Sequence, residues 1–213
     1  MTGNEMLSNL GLRLEDPAAS VFTSAAKLDS LNLAQKTVCS MIDNAYLVEL
    51  QTIANNKTVS TGACTFDTAF GSSVNPIRNG ITGIYDETND LWCTMIEPGD
   101  VKRLENSYLS GTTSNAVAYI FADTIYIKPT SGVSAIDVWY IKLPTDLAAS
   151  GTECELNPAL QEMVLDFAEA QLWRMDAKAD RAQSAYNNAL NLVKVLNERY
   201  QAEKPTGIGT KGR

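Results

Sequence analysis

Residues 116–200 set the strongest limit on what this chain can fold into. Apolar strand-like runs between Val117 and Leu143 lead straight into roughly forty residues of helical pattern, opened by Asn157-Pro158 and closed by Gln201-Ala-Glu-Lys-Pro205. As one straight rod that segment would extend about 60 Å, at about 1.5 Å per residue. Two apolar stripes run along it. Leu160, Met163 and Phe167 form the first; Ala182, Tyr186, Leu190, Val193, Leu196 and Tyr200 form the second. Between them Met175-Asp-Ala-Lys-Ala-Asp180 is small and polar. A helical hairpin turning there is favoured over a single rod, because helices average about 11–12 residues.

Upstream, β-branched and aromatic residues with turn punctuation replace the helical pattern. Gly80–Tyr85 reads as a strand, Asp86-Glu-Thr-Asn-Asp90 as a turn, and Leu91–Ile96 as the answering strand. Val59–Phe66 is a further strand expectation, and Val101–Tyr108 is either a helical turn or a strand. Ala116–Phe121, apolar on both faces, reads as a central strand, with Ala122-Asp123 as its turn and Thr124–Lys128 pairing back. Ala135–Leu143 then reads as the third strand of the same meander, the alternative being a simple hairpin.

Nearer the start, Asp16-Pro17 reads as a helix N-cap, and Ser24–Asp43 as a helix whose stripe Leu28, Leu31, Val38 and Ile42 is broken only by Gln35. Tyr46–Ile53 continues that helix or forms a second one ending at Asn55-Asn56. The expected fold is therefore α+β. An N-terminal helical segment (1–56) precedes a β-rich antiparallel domain (57–150). C-terminal helices (151–203) pack with the N-terminal ones, and a basic tail (204–213) follows.

Chemistry is limited by what is missing. The chain has no histidine, which removes the Ser-His-Asp and Cys-His arrangements, the commonest general base and the usual zinc ligand sets. Cys39, Cys64, Cys93 and Cys154 have no metal-knuckle or redox spacing and read as buried, reduced thiols of a protein made in a reducing cytosol. The formal net charge of −8 argues against gripping nucleic acid or an anionic membrane, since phosphate contacts need a basic face. No apolar run reaches the length of a membrane span, and the first residues lack a signal-peptide pattern.

The remaining constellations have plain readings. Ser24-Ala-Ala-Lys27 matches an S-x-x-K pattern but lacks its companion elements, so it reads as a helix start with an exposed lysine. Asp86, Glu87, Asp90, Glu97 and Asp100 read as solvated turn residues without calcium-loop spacing. Glu162, Asp166 and Glu169 read as a solvated face or, more sharply, a subunit contact or acidic lumen. Trp92, Trp139 and Trp173 read as core. Asn56-Lys-Thr58 fits a glycosylation sequon without an export signal, and Gly207-Ile-Gly209 follows a helix, so it is no dinucleotide fingerprint. No catalytic residue, metal ligand or cofactor-binding residue is expected, and no cofactor.

Three local patterns carry a resemblance. Leu10-Gly11-Leu-Arg-Leu-Glu-Asp16 with Phe22 and Leu31-Asn32 forms the first. Ile125-Tyr-Ile-Lys-Pro129, Val138-Trp-Tyr140 and Leu143-Pro144 form the second. The third is Leu156-Asn-Pro-Ala-Leu-Gln-Glu-Met163 with Asp166-Phe-Ala168, Asp180-Arg-Ala182 and Tyr186. In this order the chain resembles the head-to-tail connector (portal adaptor) proteins of tailed bacteriophages. The resemblance implies a structural virion protein of the neck, assembled in the host cytoplasm as a ring of identical subunits, usually twelve. Such a ring docks under the portal protein, extends a DNA channel that does not bind DNA specifically, and offers a platform to a downstream neck or tail protein. Lys204, Lys211 and Arg213 are the expected portal-contacting residues. The alternatives are another neck or tail-completion protein, or a cytosolic module binding a peptide or small ligand.

Overall fold

The computed structural model describes residues 1–71, 76–105, 111–149 and 151–203, with the side chains of 77–79, 103–105 and 200–203 set aside. The chain divides into two compact units, Met1–Glu49 with Pro144–Arg213, and Leu50–Leu143.

The first unit is helical and begins earlier than the hydrophobic pattern predicts. Helix α1 spans Gly3–Arg13 and starts with a capping box: Glu5 N–H donates to Thr2 Oγ1 and Thr2 N–H donates to the Glu5 carboxylate. Asp16 caps no helix; the chain from Asp16 to Phe22 is a loop. Helix α2 follows at Ser24–Met41, capped by Thr23, and buries Leu31, Gln35 and Val38 along one side. The buried Gln35 is satisfied, donating to Asn32 Oδ1 (3.1 Å) and accepting from the Cys154 thiol (3.3 Å).

Helix α4, Pro158–Met175, is the axis of this unit. It is capped by Asn157 with proline in its first turn, and it buries Leu160, Met163, Val164, Leu165, Phe167, Ala168, Leu172 and Trp173 around most of its circumference. Helices α1, α2 and α5 (Ala179–Glu203) all pack on it. The helical block is therefore a hairpin, and the break lies inside the polar stretch. Ala177 sits at φ 56°. Lys178 N–H donates to Trp173 C=O (2.9 Å) and Ala177 N–H to Arg174 C=O (3.2 Å), the paired bonds of a Schellman stop. Helix α5 returns along α4 on small residues, Ala182, Ala185, Ala189 and Val193. That stripe is narrower than the one the spacing predicts: Tyr186, Leu190 and Leu196 are half-buried.

The second unit holds two four-stranded sheets. One has the order β1-β8-β3-β4, from strands Gln51–Thr58, Ala135–Lys142, Pro76–Asp86 and Leu91–Trp92. The other has the order β2-β7-β6-β5, from Ala63–Thr65, Thr124–Lys128, Val117–Phe121 and Thr94–Met95. All pairings are antiparallel except β5 with β6. Ala54, Ile84, Ile136, Val138 and Tyr140 from the first sheet share one core with Cys64, Ala118, Ile125 and Ile127 from the second, joined by Ala69 and Phe70 of the short helix α3, Phe66–Phe70.

Four sequence expectations change here. Residues 51–58 form a strand, because Gln51–Ala54 pair with Val138–Ile141 of β8, and tertiary pairing overrides the weak helical pattern. The Val59–Phe66 run is cut short, since Ser60 and Ala63 exchange backbone hydrogen bonds in a tight turn that leaves only Ala63–Thr65 as strand. Leu91–Ile96 splits between the sheets: Leu91 and Trp92 pair with β3, and Thr94 and Met95 pair with β6. The β6–β7 hairpin forms as expected, over Ala122 and Asp123 at positive φ (44° and 55°), but β8 joins the other sheet instead of extending a meander. It lies there between β1 and β3, a central place that an apolar run does not distinguish from a third meander strand. Residues 98–105 form a 3-10 turn. All four cysteines are free and buried, and burial pushes the Cys39 and Cys93 thiols up to about 12.

Ala177 occupies a left-handed position that glycine adopts without strain. Ala177→Gly is expected to stabilise the protein by about 0.5–1 kcal/mol, read as a raised midpoint in denaturant with an unchanged m-value.

Candidate interaction surfaces

Lys27 is not the exposed lysine of a helix start. It is 3% exposed, with Nζ 3.1 Å from Asp16 Oδ2 and bonded to the Asp16 backbone carbonyl. Asp16 also accepts from the amides of Ser20 (2.7 Å), Val21 (3.2 Å) and Phe22 (2.9 Å) and from the Ser20 hydroxyl. The Phe22 amide foremost, then Ser20, Val21 and Lys27, holds the Asp16 carboxyl well below the usual carboxylate range against the opposing effect of burial. The pair organises the loop that sets Phe22 edge-on against Trp173, ring centroids 6.2 Å apart. It is a structural clamp, and Ser24 is exposed on the helix start.

The acidic row on α4 is no freely solvated face. Arg13 of α1 bonds Glu162 and Asp166 and lies 3.8 Å from Glu169, so one guanidinium serves three carboxylates. Burial raises the Asp166 carboxyl despite that partner. Glu169 also accepts from Trp173 Nε1 (3.1 Å), and Lys178 and Arg181 lie over the Trp173 ring at 4.6 and 4.8 Å. The outer face of α5 is an open helical surface of the unit. From Ala182 to Val193 it carries no charged residue over about 18 Å. Gln183, Ser184, Asn187, Asn188 and Asn191 are exposed there beside Leu192 (40% exposed) and, one turn on, Val195 (59%).

In the β-unit the turn carboxylates separate into distinct roles. Asp86 is fully buried and accepts from the Thr88 and Asn89 amides and Asn89 Nδ2. Asp90 accepts from the Tyr85 hydroxyl, which pushes that phenol up to about 12. Glu87 stands beside Asp137, and that neighbouring carboxyl raises the Glu87 carboxyl. Asp137 is 8% exposed and is turned to the outer face by a bulge in β1, where the Asn56 amide donates to it at 2.6 Å. Glu87, Asp137, Asn55 and Asn56 line an open cleft of about 570 Å³.

Only Trp173 is a core tryptophan. Trp92 is 56% exposed and Trp139 half-buried, their rings tilted against each other at 4.7 Å with Tyr85 edge-on to both. Trp92 can lie there because β3 has Gly83 beneath it, where a Cβ would meet the ring at 2.8 Å. The spacing of the tryptophans gave no sign of this cluster, since only strand pairing brings Tyr85, Trp92 and Trp139 together. A larger cleft of about 1090 Å³ has Phe66, Ile81, Met95 and Ile120 in its walls.

Among the described residues no group of three or more His, Cys, Asp or Glu is placed to hold a metal ion, and no helix is long and apolar enough to cross a membrane. Lys204, Lys211 and Arg213, together with Gly207 and Gly209, lie outside the described residues.

Asp16, Lys27 and Arg13 are engaged internally, and the open surfaces include an uncharged stretch of α5 and an aromatic sheet face. A family model described as SU10 adaptor protein matches residues 1–208, and the chain belongs to that family, one of phage head–tail adaptors. The resemblance read from the three local patterns is thus a family membership spanning nearly the whole chain. No curated protein matches the sequence.

Removing the Asp16 carboxylate leaves the Lys27 ammonium buried without its counter-charge, so Asp16→Ala is expected to lower Tm by about 10 °C. Because the folded state depresses the Asp16 carboxyl, its stabilisation is present above the unfolded value of about 3.9 and is lost as pH falls through and below it. Thermal melts between pH 2 and 5 are expected to show a shallower acid limb in Asp16→Ala than in the parent.

Proposed function

We propose that this phage adaptor works as a ring of identical subunits docked under the portal. In this reading the ring extends the DNA channel and presents a platform to the next neck or tail protein. The observation that carries it is the family match along residues 1–208. The uncharged outer face of α5 supports the ring. A solvated helix face ordinarily carries charge, and the cores of protein interfaces are depleted of it, so neutral amides with Leu192 and Val195 suit burial against a second copy. The net charge of −8 supports a lumen that lets DNA pass without holding it.

Light scattering or native mass measurement, alone and with portal protein, tests this. A closed ring is expected in at least the portal-containing sample, and a chain that stays monomeric in both overturns the reading. Introducing like charge on the proposed contact, Asn188→Glu with Val195→Asp, is expected to block assembly while leaving Tm of the monomer within a few degrees of the parent, as surface substitutions cost about 0.5 kcal/mol or less.

A further inference from the structure

The outer face of the β1-β8-β3-β4 sheet is unusual for a surface exposed to water. Its outward cross-strand positions bring together Ile53 (42% exposed), Trp139, Trp92 and Tyr85, a contiguous apolar and aromatic patch of the kind that marks a binding surface. Acid borders it: Asp90 on the Tyr85 hydroxyl, and the Glu87–Asp137 pair in the adjoining cleft. Among the described side chains those outward positions hold no lysine or arginine; the lysine of β1, Lys57, is registered opposite Ile136, whose side chain belongs to the core. Aromatic faces beside paired carboxylates recognise a cation, through ring contact and charge-assisted hydrogen bonds together. Glu87 and Asp137 line the same open cleft, where two carboxyl groups together offer acceptors to an ammonium or guanidinium.

The chain carries a matching segment. Residues 204–213 contain Lys204, Lys211 and Arg213 and none of the 25 acidic residues, a concentration of positive charge on a chain of net charge −8. Fully extended, ten residues reach about 33 Å. We propose that the aromatic and acidic face of the β-unit is the docking surface for the basic C-terminal segment of a neighbouring copy. The inference rests on the ring reading above, since a ring places tails and β-units of adjacent copies at high effective concentration. It gives Lys204, Lys211 and Arg213 a partner other than the portal. Each tail then strengthens the ring from outside the helical contact.

The experiment uses the full chain with a photo-crosslinking benzoylphenylalanine in place of Ile208, assembled from equal amounts of ¹⁴N and ¹⁵N protein with portal present. Crosslinks are expected on peptides carrying Trp92 or Trp139, about half of them joining differently labelled copies. Glu87→Lys is expected to cut their yield at least about fivefold, and Glu87→Lys with Arg213→Glu to restore it. Crosslinks to the portal, to the helical unit, or only within one copy overturn the proposal. In a second arm, a synthetic peptide of residues 204–213 is titrated into the chain at low concentration. A saturable shift in tryptophan emission, lost in Trp92→Ala and in Glu87→Lys and weakened by salt, is expected. No shift overturns the proposal whether or not rings form, whereas the mass measurement alone reports failure of the ring.

Discussion

Helix α4 has almost no surface of its own to give to water, and the helical unit is organised around that fact. Ten of its residues are buried, spread around the helix rather than along one stripe, so it must be covered by three other helices at once. Its one polar row, Glu162, Asp166 and Glu169, is taken up by Arg13. The row can therefore face α1 without three carboxylates repelling one another across it. Helix α5 approaches closely because its contact stripe is built from alanines, and the Schellman stop at Ala177 sets its return. The far side of α5 stays exposed and carries no charge from Ala182 to Val193.

The β-unit reaches a similar division by another route. Strand β8 is central in its sheet and sends Ile136, Val138 and Tyr140 into the shared core, so Asp137 and Trp139 must face outward. Period-2 geometry alone would place an acid beside an aromatic there. The β1 bulge, Gly83 and the turn at Asp86 turn that coincidence into a defined surface: the bulge supplies the Asn56 amide, Gly83 makes room for the Trp92 ring, and the turn brings Glu87 onto Asp137. Burial and display are the two sides of one strand.

Charged side chains play different roles in the two units. In the helical unit Lys27 and Asp16, and Arg13 with its three carboxylates, are consumed internally and fix loops and helices. In the β-unit Glu87 and Asp137 stand side by side in an open cleft, and the Asp137 carboxyl raises that of Glu87.

Much of the fold was legible because it rests on local pattern. The α+β order, helix α2, the β6–β7 hairpin over Ala122-Asp123 and the break between Met175 and Asp180 follow from periodicity, turn chemistry and length. Helix α1 was equally available in Thr2-x-x-Glu5, a capping box overlooked because Leu7, Leu10, Leu12 and Leu14 show no clean stripe. The stop at Ala177 carries no glycine, so its exact residue was hidden. By itself the sequence determined the α+β order and its longer helices, the absence of histidine chemistry, the negative charge and the family. Tertiary structure alone decided that β8 leaves the hairpin for the other sheet, that Lys27 is buried on Asp16, and that Trp92 and Trp139 meet on the surface. Each of these depends on pairing between residues distant in the chain, and no periodicity along a single segment encodes which distant partner a strand or a charge will find.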